Sequence, residues 1–360
     1  MKEILTDLER WQQQGEEIAL ATLVRVHRSA PRPPGARLCL TRSGKLAGSV
    51  SAGCVENDVF ERALKVLEDG QPVVASYGIA DELAAQVGLS CGGSIDVLIE
   101  VFRVEEVWQV VREAVQSERP AALAIGLTPD ALLGRKLALV GEDSCVGSLD
   151  SELDAQVLAE ARGLLLNAGA RVLTFPWRGE EATVFIETFL PPPQLYIVGA
   201  THTAVALCRM AKGLGFRVSV IDARSVFATE ERFPEADELL HAWPDDVLDE
   251  SRLDGYAFVV SLTHDPKFDL PTLARALRSD VRYIGALGSR VTHEKRKAAL
   301  REQGFSDDEL ARIHAPIGLD LGGRSPQEIA LAILAEMTAV RYGKEARPLG
   351  ERCGAIHADD

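Results

Sequence analysis

Cys54 closes the run Ser49-Val50-Ser51-Ala52-Gly53-Cys54 and is followed by Val55 and Glu56. From Val55 onward, apolar residues recur at Val59, Ala63 and Leu67, one face of an amphipathic helix. The thiol thus falls at a helix N-terminus, where the positive end of the dipole favours a thiolate. Gly53 frees the loop backbone, Ser51 supplies a hydroxyl, and Glu56 is favourable to the dipole and partly offsets the thiolate charge. Arg32 and Arg37, in a proline-rich loop, would add positive charge if that loop folds over. A thiolate is a nucleophile and a soft metal ligand. Cys54 is therefore a candidate soft-metal ligand or centre of sulfur chemistry, with Ser51, Gly53, Glu56, Arg32 and Arg37 as candidate companions in a binding site. Cys91 has similar company, with Gly92 and Gly93 behind it. Cys54 is expected to be the most reactive of the six cysteines, alone or jointly with Cys91. Cys39, Cys145, Cys208 and Cys353 read as packing residues. No CxxC pair is present, so neither a zinc ribbon nor a disulfide scaffold is indicated. His27 has no evident orienting acid, which weighs against a Cys–His protease.

The second constellation begins at Gly199. A strand ending in Gly-x-Gly-x-x-Gly and followed by a helix is the dinucleotide-binding fingerprint. Here the stretch is Gly199-Ala200-Thr201-His202-Thr203-Ala204. The first glycine is present, the third position is an allowed alanine, and Thr201 replaces the second glycine. Its branched side chain should obstruct the usual pyrophosphate pose. Asp222 ends the next strand, where a ribose-binding acid is expected. His264, Gly288 and His314 lie on further strand-end loops, and ligands in open α/β sheets bind outside the carboxyl ends of strands. The helix N-terminus at His202 still suits an anion.

The elements that must position these residues follow from periodicity. The sequence predicts helices over 3–14, 55–68, 104–117 and 151–167. It predicts strands over 18–27, 37–41, 45–50, 73–77, 94–102, 121–127, 136–140, 171–174 and 182–190. Pro191-Pro192-Pro193 is a stiff break and sets the boundary between domains at 1–190 and 194–343, with a loose tail at 344–360. The second domain alternates strand and helix: strands at 194–200, 216–222, 257–262 and 281–284; helices at 202–213, 270–278, 289–303, 307–313 and 326–341. That alternation predicts a parallel sheet. The fold class is thus α/β, a mixed α/β N-terminal domain followed by a Rossmann-type parallel-sheet domain. No internal repeat is evident.

Composition excludes several function classes. The 360 residues carry 39 basic and 54 acidic side chains, a net charge of -15. Such a surface repels nucleic-acid phosphates and anionic lipid, so neither nucleic acid nor membrane is an expected partner. The N-terminus lacks a secretion-signal layout, and a cytoplasmic location is expected.

The combined motifs resemble the xanthine dehydrogenase accessory protein family (XdhC/CoxI). The resemblance is carried by ALATLVRVHRSAPRPPGARL (19–38), GKLAGSVSAGCVE (44–56), GLSCGGSIDVLIE (88–100), YIVGA (196–200), LTHDPKFD (262–269), YIGALGSR (283–290) and the stretch from GFSDDELARIHAPIGLDLGG (304–323) to AILAE. It implies a molybdenum-cofactor (molybdopterin) chaperone. Such a protein would shield the cofactor, work with a cysteine desulfurase and load a molybdenum hydroxylase apoenzyme of xanthine or carbon-monoxide dehydrogenase type. It also places cofactor binding on Cys54. The family often has glycine at Ala52 and a fuller glycine fingerprint at Thr201 and Ala204. Two other readings fit parts of the chain: an NAD(P)-dependent oxidoreductase, which Thr201 argues against, and a non-catalytic scaffold for desulfurase and target. A homodimer is expected, setting one chain's Cys54 loop against the other's Gly199 loop, because the triple proline restricts the linker and two-fold dimers are the commonest oligomers.

Overall fold

The computed structural model describes residues 2–28, 30–78, 93–141, 143–166, 169–249 and 252–351. Two compact units divide at the triple proline, Met1–Pro191 and Pro192–Gly350. Among the described residues no helix is long and apolar enough to cross a membrane.

The first unit runs α1 (Lys2–Gln13), β1 (Ile18–His27), β2 (Arg37–Thr41), β3 (Leu46–Gly48), α2 (Glu56–Asp69), β4 (Val73–Tyr77) and β5 (Ser94–Val101). It continues with α3 (Glu106–Gln116), β6 (Ala121–Thr128), β7 (Lys136–Val140), β8 (Ser144–Gly147), α4 (Asp154–Leu164), β9 (Gly169–Trp177) and β10 (Glu180–Phe189). The strands form two antiparallel five-stranded sheets, ordered β3-β2-β1-β5-β4 and β8-β7-β6-β10-β9.

These two orders are one topology used twice, a repeat the sequence conceals. The register matches residue by residue. Thr22 opposes Arg37 as Ile125 opposes Lys136, and Leu20 opposes Glu100 as Leu123 opposes Glu187. The helix faces match too. Val55, Val59, Ala63 and Leu67 are buried on one side, Leu153, Val157, Ala161 and Leu165 on the other. Each set packs in its own core, with α2 on the first sheet and α4 on the second. A third core joins α1, α3 and residues of both sheets. A Cβ on Gly48 would meet Ile4 of α1 at 2.7 Å, and one on Gly147 would meet Val107 of α3 at 2.6 Å. The repeat hides because only pattern and a few glycines persist; the apolar side chains have exchanged freely, as cores tolerate when volume and patterning are kept.

The halves differ in their links. The β1–β2 link spans residues 28–36 against 129–135 for β6–β7, and the β4–β5 link spans 78–93 against a two-residue turn at 178–179. The proline loop and the Cys91 motif thus lie where the first half is the longer one.

The second unit contains β11 (Gln194–Val198), α5 (His202–Gly213), β12 (Arg217–Ile221), β13 (Glu238–Leu240), α6 (Pro244–Val247), β14 (Ala257–Ser261) and α7 (Pro266–Leu277). Then come β15 (Tyr283–Ala286), α8 (Arg290–Glu302), α9 (Asp307–Leu310), β16 (Ile313–His314) and α10 (Pro326–Arg341). The six strands are parallel in the order β13-β12-β11-β14-β15-β16. This is the doubly wound arrangement of a Rossmann domain, with separate apolar cores containing α5 and α10 in one and α7 in the other.

Candidate functional site

The loop between β3 and α2 is built around one carboxylate. Glu56 Oε1 accepts hydrogen bonds from the Ser49 hydroxyl at 2.6 Å and the Ser51 N–H at 2.9 Å. Its Oε2 accepts from the Ser51 hydroxyl at 2.7 Å, the Gly53 N–H at 2.9 Å and the Val55 N–H at 3.2 Å. Burial raises the pKa of this carboxyl, but the serine hydroxyls and loop N–H groups outweigh it and bring it down to about 2. Sequence alone makes Glu56 and Ser51 cofactor contacts; in the structure both are spent inside the loop and act by shaping it. Helix α2 starts at Glu56, with Val55 as a cap lacking a side-chain bond, so the loop's donors meet Glu56.

The curl needs left-handed backbone at Ala52 (φ 59°) and Gly53 (φ 111°). The first is costly for a residue with a Cβ, which gives a physical reason for glycine being frequent there in the resembled family. Cys54 emerges half-buried at the margin of the first-sheet core.

The two arginines part company. Arg37 is buried and its guanidinium forks onto Glu187, with Nη1 at 2.9 Å from Oε1. It does not face an incoming anion, contrary to the expectation from sequence. The proline loop covers this pair, and Arg32 reaches Glu3 at 2.5 Å. Arg32, Pro33, Gly35 and the Arg37–Glu187 pair line a cavity of about 360 Å³. Cys91 and Gly92 lie outside the described residues.

Thiol environments differ sharply. Burial pushes Cys39 up to about 12 and Cys208 up to about 11, while Cys54 is half-buried and Cys145 exposed on β8. At pH 8 a thiol of pKa 12 is only about 0.01% thiolate. Site-resolved iodoacetamide labelling at pH 8 should therefore modify Cys54 and Cys145 in the folded protein and Cys39 and Cys208 only after unfolding. Labelling of Cys54 confined to denatured protein would remove the basis for a ligand role.

In the second unit the fingerprint turn is self-contained. Gly199 has φ 97°, and a Cβ there would lie 2.3 Å from the Thr263 methyl, so glycine is required. Thr201 caps α5 by accepting from the Ala204 N–H at 3.2 Å. Asp222 is wholly buried and accepts from the Ala200 N–H at 2.9 Å and twice from the Arg224 guanidinium. Burial raises its pKa, but those bonds win and hold it below the ordinary carboxylate range. Arg224 also lies over the rings of Phe227 and Phe268. A ribose would have to displace Arg224 to reach this acid. Titration with NAD, NADH, NADP and NADPH should show millimolar or weaker dissociation constants, near -4 kcal/mol; micromolar binding of any of them would contradict this account of Thr201 and Asp222.

His202, the first residue of α5, and His264, on the loop after β14, are exposed. His314 sets Nδ1 3.3 Å from Glu336 and stacks on Tyr283. Gly288 adjoins a buried ion pair that sequence reasoning missed, Arg296 with Asp269, where Asp269 also accepts from the Ser261 and Thr263 hydroxyls. A charge amid the buried face of α7 was the available signal. Among the described residues no group of three or more His, Cys, Asp or Glu is placed to hold a metal ion.

Comparison with known proteins follows the same division. Residues 11–78 match the XdhC and CoxI family, and residues 195–337 match the XdhC Rossmann domain. A protein of Bacillus subtilis (strain 168) described as a probable xanthine dehydrogenase subunit is 28% identical, over 91% of this chain and 94% of that one. The molybdenum cofactor insertion chaperone PaoD of Escherichia coli (strain K12) is 26% identical, over 92% and 86%. A crystal structure described as a xanthine dehydrogenase from Bacillus halodurans is 25% identical with a TM-score of 0.66, over 95% of this chain and 97% of that one. With residues of both units matched, together more than half of the chain, the chain belongs to the XdhC and CoxI family.

Proposed function

We propose that this chain is an accessory protein that takes up a molybdenum cofactor at the Cys54 loop and delivers it to a molybdenum hydroxylase. The observation that carries the reading is the division of labour in that loop. Glu56 absorbs the serines and N–H groups, and the thiol is left as its soft ligand. One thiol cannot hold a bare metal ion, so the donor set suits a metal already held by its own organic cofactor. Bound there, the cofactor would supply a molybdenum centre whose terminal ligand is open to exchange. A cysteine desulfurase acting on the held cofactor, before transfer to the apoenzyme, completes the role. The relative named as an insertion chaperone supports it, aligned over nearly the whole of both chains.

The test is cofactor content. Protein produced in cells that make the cofactor is assayed for molybdenum by mass spectrometry and for pterin by fluorescence after oxidation. The wild type should carry both, and Cys54→Ala should lose at least about tenfold of each with its unfolding transition unchanged. Full content in Cys54→Ala would move the metal end elsewhere. An empty wild type would favour a scaffold that recruits desulfurase and target without holding cofactor.

A further inference from the structure

The repeat in the first unit supplies each half with a cavity, and the two differ in one informative way. Arg37 and Lys136 open equivalent strands, and each reaches into the other half, Arg37 to Glu187 and Lys136 to Glu100. Each cation also donates to a glycine carbonyl two residues before it, Gly35 at 3.0 Å and Gly134 at 3.1 Å. Both glycines have positive φ, at 90° and 76°. The guanidinium satisfies both oxygens of Glu187. The single ammonium of Lys136 reaches only Oε2 of Glu100, at 2.6 Å. Oε1 of Glu100 is buried and has no hydrogen-bond partner, on a residue only 5% exposed.

That acid lines a cavity of about 440 Å³ together with Lys136, Arg103 and Arg135. Arg103 and Arg135 are exposed, and neither makes a salt bridge with a described residue. Three cations face two carboxylates there, Glu100 and Glu105, in a chain whose net charge is -15. The cavity under the proline loop holds Arg32 and Arg37 against Glu3 and Glu187, and so has no excess. Pro72, Val107 and Leu133 give the second cavity an apolar wall.

We propose that the Lys136 cavity is a second ligand site, distinct from the Cys54 loop, that binds a phosphate monoester of a small organic molecule. Arg103, Arg135 and Lys136 hold the phosphate oxygens, the apolar wall takes the organic body, and Glu100, its unpaired Oε1 turned toward the ligand on binding, accepts the proton of the singly ionised phosphate. A carboxylate among cations discriminates between oxyanions of similar size and charge, because a phosphate monoester at or below its second pKa, about 6, carries a proton to donate and sulfate carries none. The volume exceeds that of an inorganic anion, which is why an ester is specified.

Calorimetric titration of the full-length protein with inorganic phosphate, phenyl phosphate and sulfate at constant ionic strength and about pH 6, where roughly half of a phosphate monoester keeps its proton, tests this. Phosphate should bind at least about tenfold tighter than sulfate, and phenyl phosphate tighter than phosphate. The double variant Arg103→Gln/Arg135→Gln, confined to exposed side chains, should weaken phosphate at least about tenfold. Glu100→Gln should shrink the preference over sulfate to less than about threefold, because an amide donates to either ion. Cys54→Ala should change none of these values, which separates failure here from failure of the cofactor reading. No saturable phosphate binding, equal affinity for sulfate in the wild type, or binding indifferent to Arg103 and Arg135 would each overturn the proposal.

Discussion

Arg37→Ala should destabilise the first unit by about 3–5 kcal/mol, the cost of leaving a buried carboxylate without its partner. Glu187 is 11% exposed at its side chain and both its oxygens depend on this guanidinium. The guanidinium also lies 5.8 Å from the ring centres of Trp108 and Phe189, so truncation removes packing as well as charge. Tryptophan emission reports the transition well, since Trp11, Trp108 and Trp177 are buried in this unit and Trp243 of the other is exposed. In a urea titration the midpoint should fall clearly below that of Arg62→Ala, whose exposed pair with Asp58 is worth at most about 1 kcal/mol. The pair Arg37→Met with Glu187→Leu should recover much of the loss, because the charge left stranded goes with it. A cost for Arg37→Ala no larger than that for Arg62→Ala would mean the pair does not tie the two halves together.

The long periodic elements are legible in the sequence and the short ones are not. Strands β1, β2 and β4 and helices α5 and α10 carry enough apolar residues at one spacing to be placed within a residue. Strands β8, β13 and β16 are two to four residues long, too few to show a period. The sequence predicts a strand at 171–174, and β9 runs from Gly169 to Trp177 through Pro176; it lies at a sheet edge, where a missing N–H costs little. Helix α7 begins at Pro266 rather than 270. Asp265 caps it, and Pro271 sits inside its first turns.

The site is legible in what lies close along the chain. Glycine before Cys54 and the amphipathic helix after it can be read directly. The direction of the polar groups cannot, since Glu56 folds backward onto residues that precede it. Nor can the fate of Arg37, whose partner is 150 residues away. Separation along the chain also conceals the repeat. Gly-Ala-Arg-Leu at 35–38 and Gly-Arg-Lys-Leu at 134–137 are too short to be noticed until strand register sets them side by side. Once aligned, they show why one cation satisfies its acid and the other does not.

Glu56→Gln should open the Cys54 loop and cost on the order of 2 kcal/mol, a figure below the full linkage value because the carboxylate is only half-buried. An amide keeps one acceptor oxygen and turns an NH2 toward donors at Ser49, Ser51, Gly53 or Val55 that the carboxylate now satisfies. Hydrogen exchange at the amides of Ser51, Gly53 and Val55 should speed up at least about tenfold at pH 7. The pH dependence has a definite sign. Folding lowers the Glu56 pKa from 4.5 to about 2, so its stabilisation is complete above about pH 5 and is lost as the pH falls toward 2. The stability gap between wild type and variant should therefore be widest at neutral pH, clearly narrowed at about pH 3 and nearly closed only at about pH 2. A gap that does not change with pH would assign the loss to packing rather than to the carboxylate. If the loop presents the thiol as proposed, the variant should also shed molybdenum and pterin while Cys54 labels faster. Loss of cofactor with unchanged exchange at all three amides would show that Glu56 touches the ligand itself instead of holding the loop that does.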